Sequence, residues 1–322
     1  MPQKPSLAQD LGNVLRGFLM GAADIVPGVS GGTVALILGI YQRLVTAVSR
    51  VDSTLLTRVI ARQWRSAAEY LDLRFLIALG LGIGIGIVGL AHLMHELLTH
   101  YREQTYAAFF GLILASSLFV GRMCLPRTRG MAWLCVLLGA AGVGAAWWVV
   151  TLDTVEARHG LVYTFASGCI GICAMILPGV SGSYLLLLLD MYEEITGIIK
   201  EIPKLQATAS DWLTLAVFAS GCLIGILLFS KALKWLLMRF EPQTMAVLCG
   251  FMIGSLWKVW PFQHGTSGGD LSLKEQAVQL QPCWPTTLGA HELGCLAIAA
   301  AAFAVVLLLD GLGRRYASRV SG

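Results

Sequence analysis

Ile25-Val-Pro-Gly-Val-Ser-Gly-Gly-Thr33 returns later in the chain as Ile176-Leu-Pro-Gly-Val-Ser-Gly-Ser-Tyr184, and each copy interrupts an otherwise apolar stretch. Proline lacks an N–H and disfavours helix in the residue before it, so Pro27 and Pro178 end the arm that leads into each copy. The glycines that follow permit a tight turn and close approach of main chain or ligand. Lipid cannot hydrogen-bond a broken backbone, so such a break survives at membrane depth only against protein or a water-lined cavity. Two breaks of one chemistry, one in each half, point to a duplicated transporter whose interrupted helices meet at a substrate site.

Working outward, the whole chain supports a membrane setting. Of its 322 residues, 56% are hydrophobic and only 13% charged, where a soluble domain carries roughly 25% charged residues. The first ten residues are polar and carry no apolar signal region, so no cleaved leader is expected. The eight cysteines fall mainly in apolar segments, and Cys169 and Cys173 are four apart, so neither a disulfide framework nor a zinc site is expected.

Six long apolar segments, at about 75–98, 105–121, 131–151, 212–237, 243–260 and 291–312, are near the length needed to cross the hydrocarbon. Two more, at about 11–49 and 161–199, each hold an arm, a Pro-Gly-x-Ser-Gly break and a second arm. Each is read as a re-entrant helical hairpin, with two full crossings as the alternative. Glu103-Gln-Thr105 matches Glu241-Pro-Gln-Thr244 with one residue added, and Gly82, Gly86 and Gly111 align with Gly221, Gly225 and Gly250. The predicted fold is therefore an all-α polytopic membrane protein with two repeats, 1–155 and 156–322, each a hairpin followed by three spans. Three is odd, so the second repeat enters from the opposite face, which makes the repeat inverted.

Charge agrees with that order. A cytoplasmic N-terminus puts sixteen Lys and Arg inside, in the N-terminal arm, 50–74, 122–130, 231–241 and the C-terminal tail, against six outside. That is the bias of the positive-inside rule, and it places both termini in the cytoplasm. The basic stretch 50–74 reads as an amphipathic helix against anionic headgroups or as a plain connector. The loop at about 261–290 faces outward, with Gly265-Thr-Ser-Gly-Gly269 an ordinary turn and Trp260 and Trp284 suited to the interface.

The second arm of each hairpin begins with Ser30 or Ser181 near its N-cap and with Thr33 or Ser183 in its first turn. A helix start offers N–H groups and partial positive charge, which together suit an anion such as phosphate. Ser30, Gly31, Gly32, Thr33, Ser181, Gly182 and Ser183 are the candidate phosphate ligands. Charged residues at membrane depth usually carry function. Asp24 sits near the end of a half-helix, where a carboxylate opposes the dipole, so a protonated form or a nearby cation is expected. Arg43 is placed to pair with a phosphate or an acid of the other repeat, and Glu193 and Glu194 occupy the matching place in repeat two. Asp24, Glu193 and Glu194 are the candidate proton-coupling or gating residues. Plain capping for Asp24, and interfacial snorkelling for the other three, are the bland alternatives.

Rival chemistries have less behind them. Gly28-Val-Ser-Gly-Gly32 fits the G-x-S-x-G nucleophile elbow, but no strand precedes it and the second copy breaks the pattern. An intramembrane serine protease of the rhomboid type would need a histidine partner, and His92 and His95 lie near the outer end of their span. His92-Leu-Met-His95-Glu96 has no evident third metal ligand. No catalytic residue, metal or cofactor is expected, and no nucleic-acid partner.

Gly21-Ala-Ala-Asp24-Ile-Val-Pro-Gly-Val-Ser-Gly-Gly-Thr33, Gly39-Ile-Tyr41 and Pro178-Gly-Val-Ser-Gly-Ser183 resemble a bacterial membrane family once grouped as a domain of unknown function. That family is associated with polyprenyl-phosphate (undecaprenyl-phosphate) translocation, the PopT type, and the resemblance covers nearly the whole chain. It implies a C55 lipid-phosphate substrate, returned across the cytoplasmic membrane for envelope synthesis by a non-enzymatic, alternating-access carrier that works in the bilayer, either alone or as a homo-oligomer. The residues by themselves reach only an anionic substrate, so a carrier of another anion or lipid phosphate is the alternative. One departure is Asp190, where repeat one has Gly39 and a small residue is expected.

Overall fold

The computed structural model describes residues 7–26, 29–124, 128–152, 160–204, 206–264, 280–285 and 289–320. Pro27, Gly28 and the Gly265–Gly269 turn lie outside the described residues. The chain is helical nearly throughout, as a polypeptide in lipid must be when every N–H and C=O needs an internal partner. Among the described residues, five helices are long and apolar enough to cross a membrane: α6 (Leu73–His100), α7 (Arg102–Met123), α8 (Arg129–Val150), α12 (Ala209–Arg239) and α14 (Ala290–Val320). Several helices of this length and composition make the chain a multi-pass membrane protein. All eight cysteines are free.

The predicted span at 243–260 differs. Its helix, α13, runs Glu241–Ser255, only 15 residues. Beyond it Lys258 bonds back to Ser255, and Val259 to Leu256, in tight turns instead of helix. Leu256, Val259 and the aromatic Trp257 and Trp260 prolong the nonpolar run there, but Pro261 ahead stops the helix from resuming. The buried Lys258 ammonium donates to the Leu280 carbonyl at 3.5 Å.

Contacts divide the chain into two compact units, and each draws on both halves of the sequence: Met1–His92 with Thr151–Glu241, and Leu93–Val150 with Pro242–Gly322. In the first unit, α1 (Leu7–Ile25) leads through the break to α2 (Gly31–Ile37) and α3 (Tyr41–Ser49), the last two bent by 118°. The second copy repeats this as α9 (Leu161–Ile176), α10 (Gly182–Leu188) and α11 (Tyr192–Glu201). Its turns match bond for bond. Gly39 and Ile40 donate to Leu36 and Ala35, as Asp190 and Met191 donate to Leu187 and Leu186. Gly39 has φ +68° and Asp190 φ +52°, so the departure at Asp190 keeps the backbone of its counterpart. Aspartate is one of the few non-glycine residues that visits this region readily.

Small residues let the long helices close on these arms. A Cβ at Gly82 or Gly86 of α6 would run into the Val14 and Phe18 carbonyls of α1. One at Gly221 or Gly225 of α12 would meet the Phe165 carbonyl and the Cys169 main chain of α9. The basic connector forms two amphipathic helices, α4 (Ser53–Ile60) and α5 (Trp64–Leu71), which expose Leu56, Ile60 and Trp64. Asp52 caps α4 by accepting the Leu55 N–H at 3.0 Å, and it also accepts the Tyr70 hydroxyl at 2.8 Å.

In the second unit α7 packs on α14, where Gly111 abuts the Ala299 carbonyl, and α8 packs on α13, where Gly250 abuts the Gly139 carbonyl. A two-stranded ribbon, β1 (Gln263–His264) with β2 (Gln281–Pro282), closes the loop that follows α13.

Candidate functional site

The two motif copies meet in the first unit. The Ser30 hydroxyl reaches the carbonyls of Met175 and Leu177, both at 3.4 Å, and accepts the Gly32 N–H at 3.1 Å. The Thr33 hydroxyl accepts the Gly179 N–H at 2.8 Å. Gly179 sits at φ +83°, which orients that N–H toward the first copy. A Cβ on Gly32 would lie 2.7 Å from the Ile176 carbonyl, so glycine is what admits the second copy's main chain. Side chains of copy one thus hold the backbone of copy two.

On the other side of the pairing, Ser181 caps α10 by accepting the Tyr184 N–H at 3.4 Å, and its hydroxyl lies 3.0 Å from that of Ser183. Ser30, Thr33, Ser181 and Ser183 are all buried. The Tyr163 hydroxyl donates to the Leu189 carbonyl at 2.9 Å and ties the end of α10 to α9. Ser30 and Thr33 thus sit against the second copy's backbone, which leads within two residues of Gly179 to Ser181 at the start of α10. The Ser30 hydroxyl is engaged by main-chain groups, whereas a protease serine needs an imidazole.

Asp24 makes a capping contact, the plainer of the two expectations for it, but at a helix start and not only at a helix end. It ends α1, but its carboxylate turns across the break and accepts the Gly31 N–H at 2.6 Å. It is therefore at the start of α2 as well, where a negative charge is favoured and not opposed. A Cβ on Gly31 would approach its Oδ2 to 2.6 Å. The equivalent residue of the second copy is Met175, whose Cγ packs where a Gly182 Cβ would be. One helix start is occupied by a carboxylate and the other by a thioether.

The remaining sequence candidates lie apart from these contacts. Arg43 makes a two-point ion pair with Asp72, at 2.7 and 3.1 Å, and stacks 4.2 Å over the Phe75 ring. Glu193 and Glu194 are exposed in the first turn of α11. His92 and His95 are exposed on α6. The second unit instead gathers Glu103, His291 and Cys295, which the sequence reading did not single out. The signal for it was the one-turn spacing of His291 and Cys295.

Comparison with known proteins places these features in a family. The family described as undecaprenyl phosphate translocase-like matches residues 20–276. A polyprenyl-phosphate transporter of Vibrio cholerae serotype O1 is 37% identical over 272 residues, covering 84% of this chain and 84% of the relative. A polyprenyl-phosphate transporter of Staphylococcus aureus is 31% identical over 258 residues, covering 77% of this chain and 86% of the relative. No solved structure matches. Both copies of the Pro-Gly-Val-Ser-Gly motif lie within the matched span, and the chain belongs to the undecaprenyl phosphate translocase-like family.

Proposed function

We propose that this protein carries undecaprenyl phosphate across the cytoplasmic membrane by alternating access, returning the lipid carrier from the outer to the inner leaflet without chemical change. The observation that carries the reading is the bonding of Ser30 and Thr33 to Met175, Leu177 and Gly179, which makes one polar cluster from two copies of a membrane-embedded break. In this proposal the repeats 1–155 and 156–322 are inverted, the hairpins are re-entrant and both termini are cytoplasmic. The phosphate is held by Ser30, Gly31, Gly32, Thr33, Ser181, Gly182 and Ser183 through hydroxyl and main-chain groups. The isoprenoid tail stays in lipid through a lateral opening.

Charge gives the ligands unequal parts. The Asp24 carboxylate already sits on the Gly31 N–H, so an arriving phosphate meets repulsion there, whereas at the start of α10 the equivalent residue is the uncharged Met175. Phosphate therefore enters at the start of α10 and displaces Asp24 from α2. Displacement takes the carboxylate off the Gly31 N–H, and Asp24 then serves as the residue that couples a proton to the lipid. Arg43 supplements the charge once it leaves Asp72, and Glu193 or Glu194 serves as the proton's other stop.

The test is uptake of polyprenyl phosphate into proteoliposomes under a pH gradient. Ser30→Ala with Ser181→Ala abolishes uptake while expression stays normal; wild-type uptake by that variant overturns the phosphate assignment. Unlabelled polyprenyl phosphate competes and inorganic phosphate does not; the reverse result makes the substrate a soluble anion.

A further inference from the structure

We infer that Glu103, His291 and Cys295 form a binding site for a divalent metal ion of the zinc type at the joined ends of α7 and α14. Their ligand atoms all lie within 4.8 Å of one another. The His291 Nε2 is 2.7 Å from the Glu103 Oε2 and 4.0 Å from the Cys295 Sγ. One imidazole nitrogen thus faces a carboxylate and a thiol together. A single N–H cannot point at both, but a cation set among the three atoms satisfies every lone pair. Zinc takes this mixture of nitrogen, oxygen and thiolate donors.

The spacing is close to what tetrahedral zinc needs. Ordinary bond lengths separate nitrogen and oxygen ligands by about 3.4 Å, and sulfur from either by about 3.6 Å. The His291–Glu103 contact has to open by about 0.7 Å and the Cys295–His291 contact to close by about 0.4 Å, within reach of small side-chain rotations. His291 and Cys295 lie one turn apart on α14 and so share a face, while Glu103 comes from the first turn of α7. Cys295 is buried among Ala107 and Phe262, which fixes its thiol, and His291 is exposed, which leaves a path for the ion and a fourth position for water.

The thiol's orientation differs from that of five other cysteines. Cys124, Cys169, Cys173, Cys222 and Cys249 each donate to a main-chain carbonyl, of Val120, Gly221, Gly225, Gly168 and Ser117 respectively. Cys295 turns instead to a side-chain nitrogen. The matching glutamate of the second repeat, Glu241, accepts the Gln42 side-chain amide and has neither ligand. On binding, the Cys295 S–H proton passes to solvent, and the neutral His291 imidazole keeps its one proton on Nδ1, leaving the Nε2 lone pair for the metal.

The test uses purified full-length protein, stripped with a chelator and titrated with Co²⁺ as an optical probe and with Zn²⁺ in competition. One equivalent of Co²⁺ is expected to give tetrahedral visible bands and a thiolate charge-transfer band, both displaced by Zn²⁺. Cys295→Ser removes the charge-transfer band. His291→Gln, at an exposed position where folding is undisturbed, weakens binding at least about tenfold, since even supporting residues of metal sites are worth that much. Identical isotherms and spectra for wild type, His291→Gln and Cys295→Ser overturn the assignment, as does a wild type that binds no Co²⁺.

Discussion

Thr33→Val tests whether the two motif copies are bonded as described. Valine keeps the shape of threonine and removes only the hydroxyl, so the cavity is unchanged. In the native chain that hydroxyl accepts the Gly179 N–H at 2.8 Å, and Thr33 is 1% exposed, so water cannot replace it. A buried donor left without its acceptor costs about 1–3 kcal/mol. At a factor of ten for every 1.4 kcal/mol or so, local opening around Gly179 becomes about 5- to 150-fold more frequent. Hydrogen exchange followed by mass spectrometry, read on a peptide covering 177–184, measures that change directly. Thr33→Ser retains the acceptor and stays within about threefold of wild type, since the net worth of a kept hydrogen bond shifts little. Exchange in the peptide covering 290–308 is the control and remains unchanged. If Thr33→Val leaves the 177–184 peptide as protected as in wild type, the bond between the copies does not hold that backbone, and the polar cluster loses its geometric basis.

Two further substitutions test the scaffold. Gly82→Ala drives a methyl into the Val14 carbonyl and costs about 1–3 kcal/mol, whereas Gly84→Ala, with open space around it, gains up to about 1 kcal/mol of helix propensity. The temperature at which half the detergent-solubilised protein remains monodisperse ranks them, and an equal loss for both contradicts close packing of α1 on α6. Burial works against the charge of Asp52, but the N–H groups of Leu55 and Thr54, the Tyr70 hydroxyl and Lys231 hold its carboxyl below the usual value. Its native value is depressed, so its contribution is present above about pH 4 and is lost as pH falls through the lowered native value. Hydrogen exchange across 53–71, corrected for intrinsic rate, accelerates in that acid window in wild type only. At neutral pH, Asp52→Ala loses a cap worth about 0.5–2 kcal/mol and speeds tryptic cleavage at Arg62 and Arg65 about two- to thirtyfold.

The helices were legible because lipid imposes a length on every span. The apolar runs at 75–98, 131–151 and 212–237 lie within a few residues of α6, α8 and α12. The apolar run misleads at 243–260, where Leu256, Trp257, Val259 and Trp260 extend it although the chain leaves the helix at Ser255. Aligned glycines carried more than they were credited with. Gly82 and Gly86 face α1 as Gly221 and Gly225 face α9, and Gly111 and Gly250 likewise mark contacts of α7 with α14 and of α13 with α8. Which helices they join depends on pairs distant in sequence, so the grouping of residues from both halves into each unit could not be read from one chain alone.

The candidate site was legible as two motifs and illegible as chemistry between them. Matching spelling gave matching backbone, even at Asp190, because the left-handed turn after α10 tolerates aspartate where α2 is followed by glycine. It did not give matching charge. Sequence distance sets Asp24 against the end of α1, with plain capping as the alternative. The break folds back and sets the same carboxylate on the Gly31 N–H at the head of α2, while the residue equivalent to Asp24 is Met175. A helix end prefers one sign of charge and the next helix start the opposite sign, so the local dipole argument reversed when the chain turned. Backbone repeats are set by glycine and proline, which both copies share. The polarity of the site is set by one residue just outside the shared motif, and there the two copies differ.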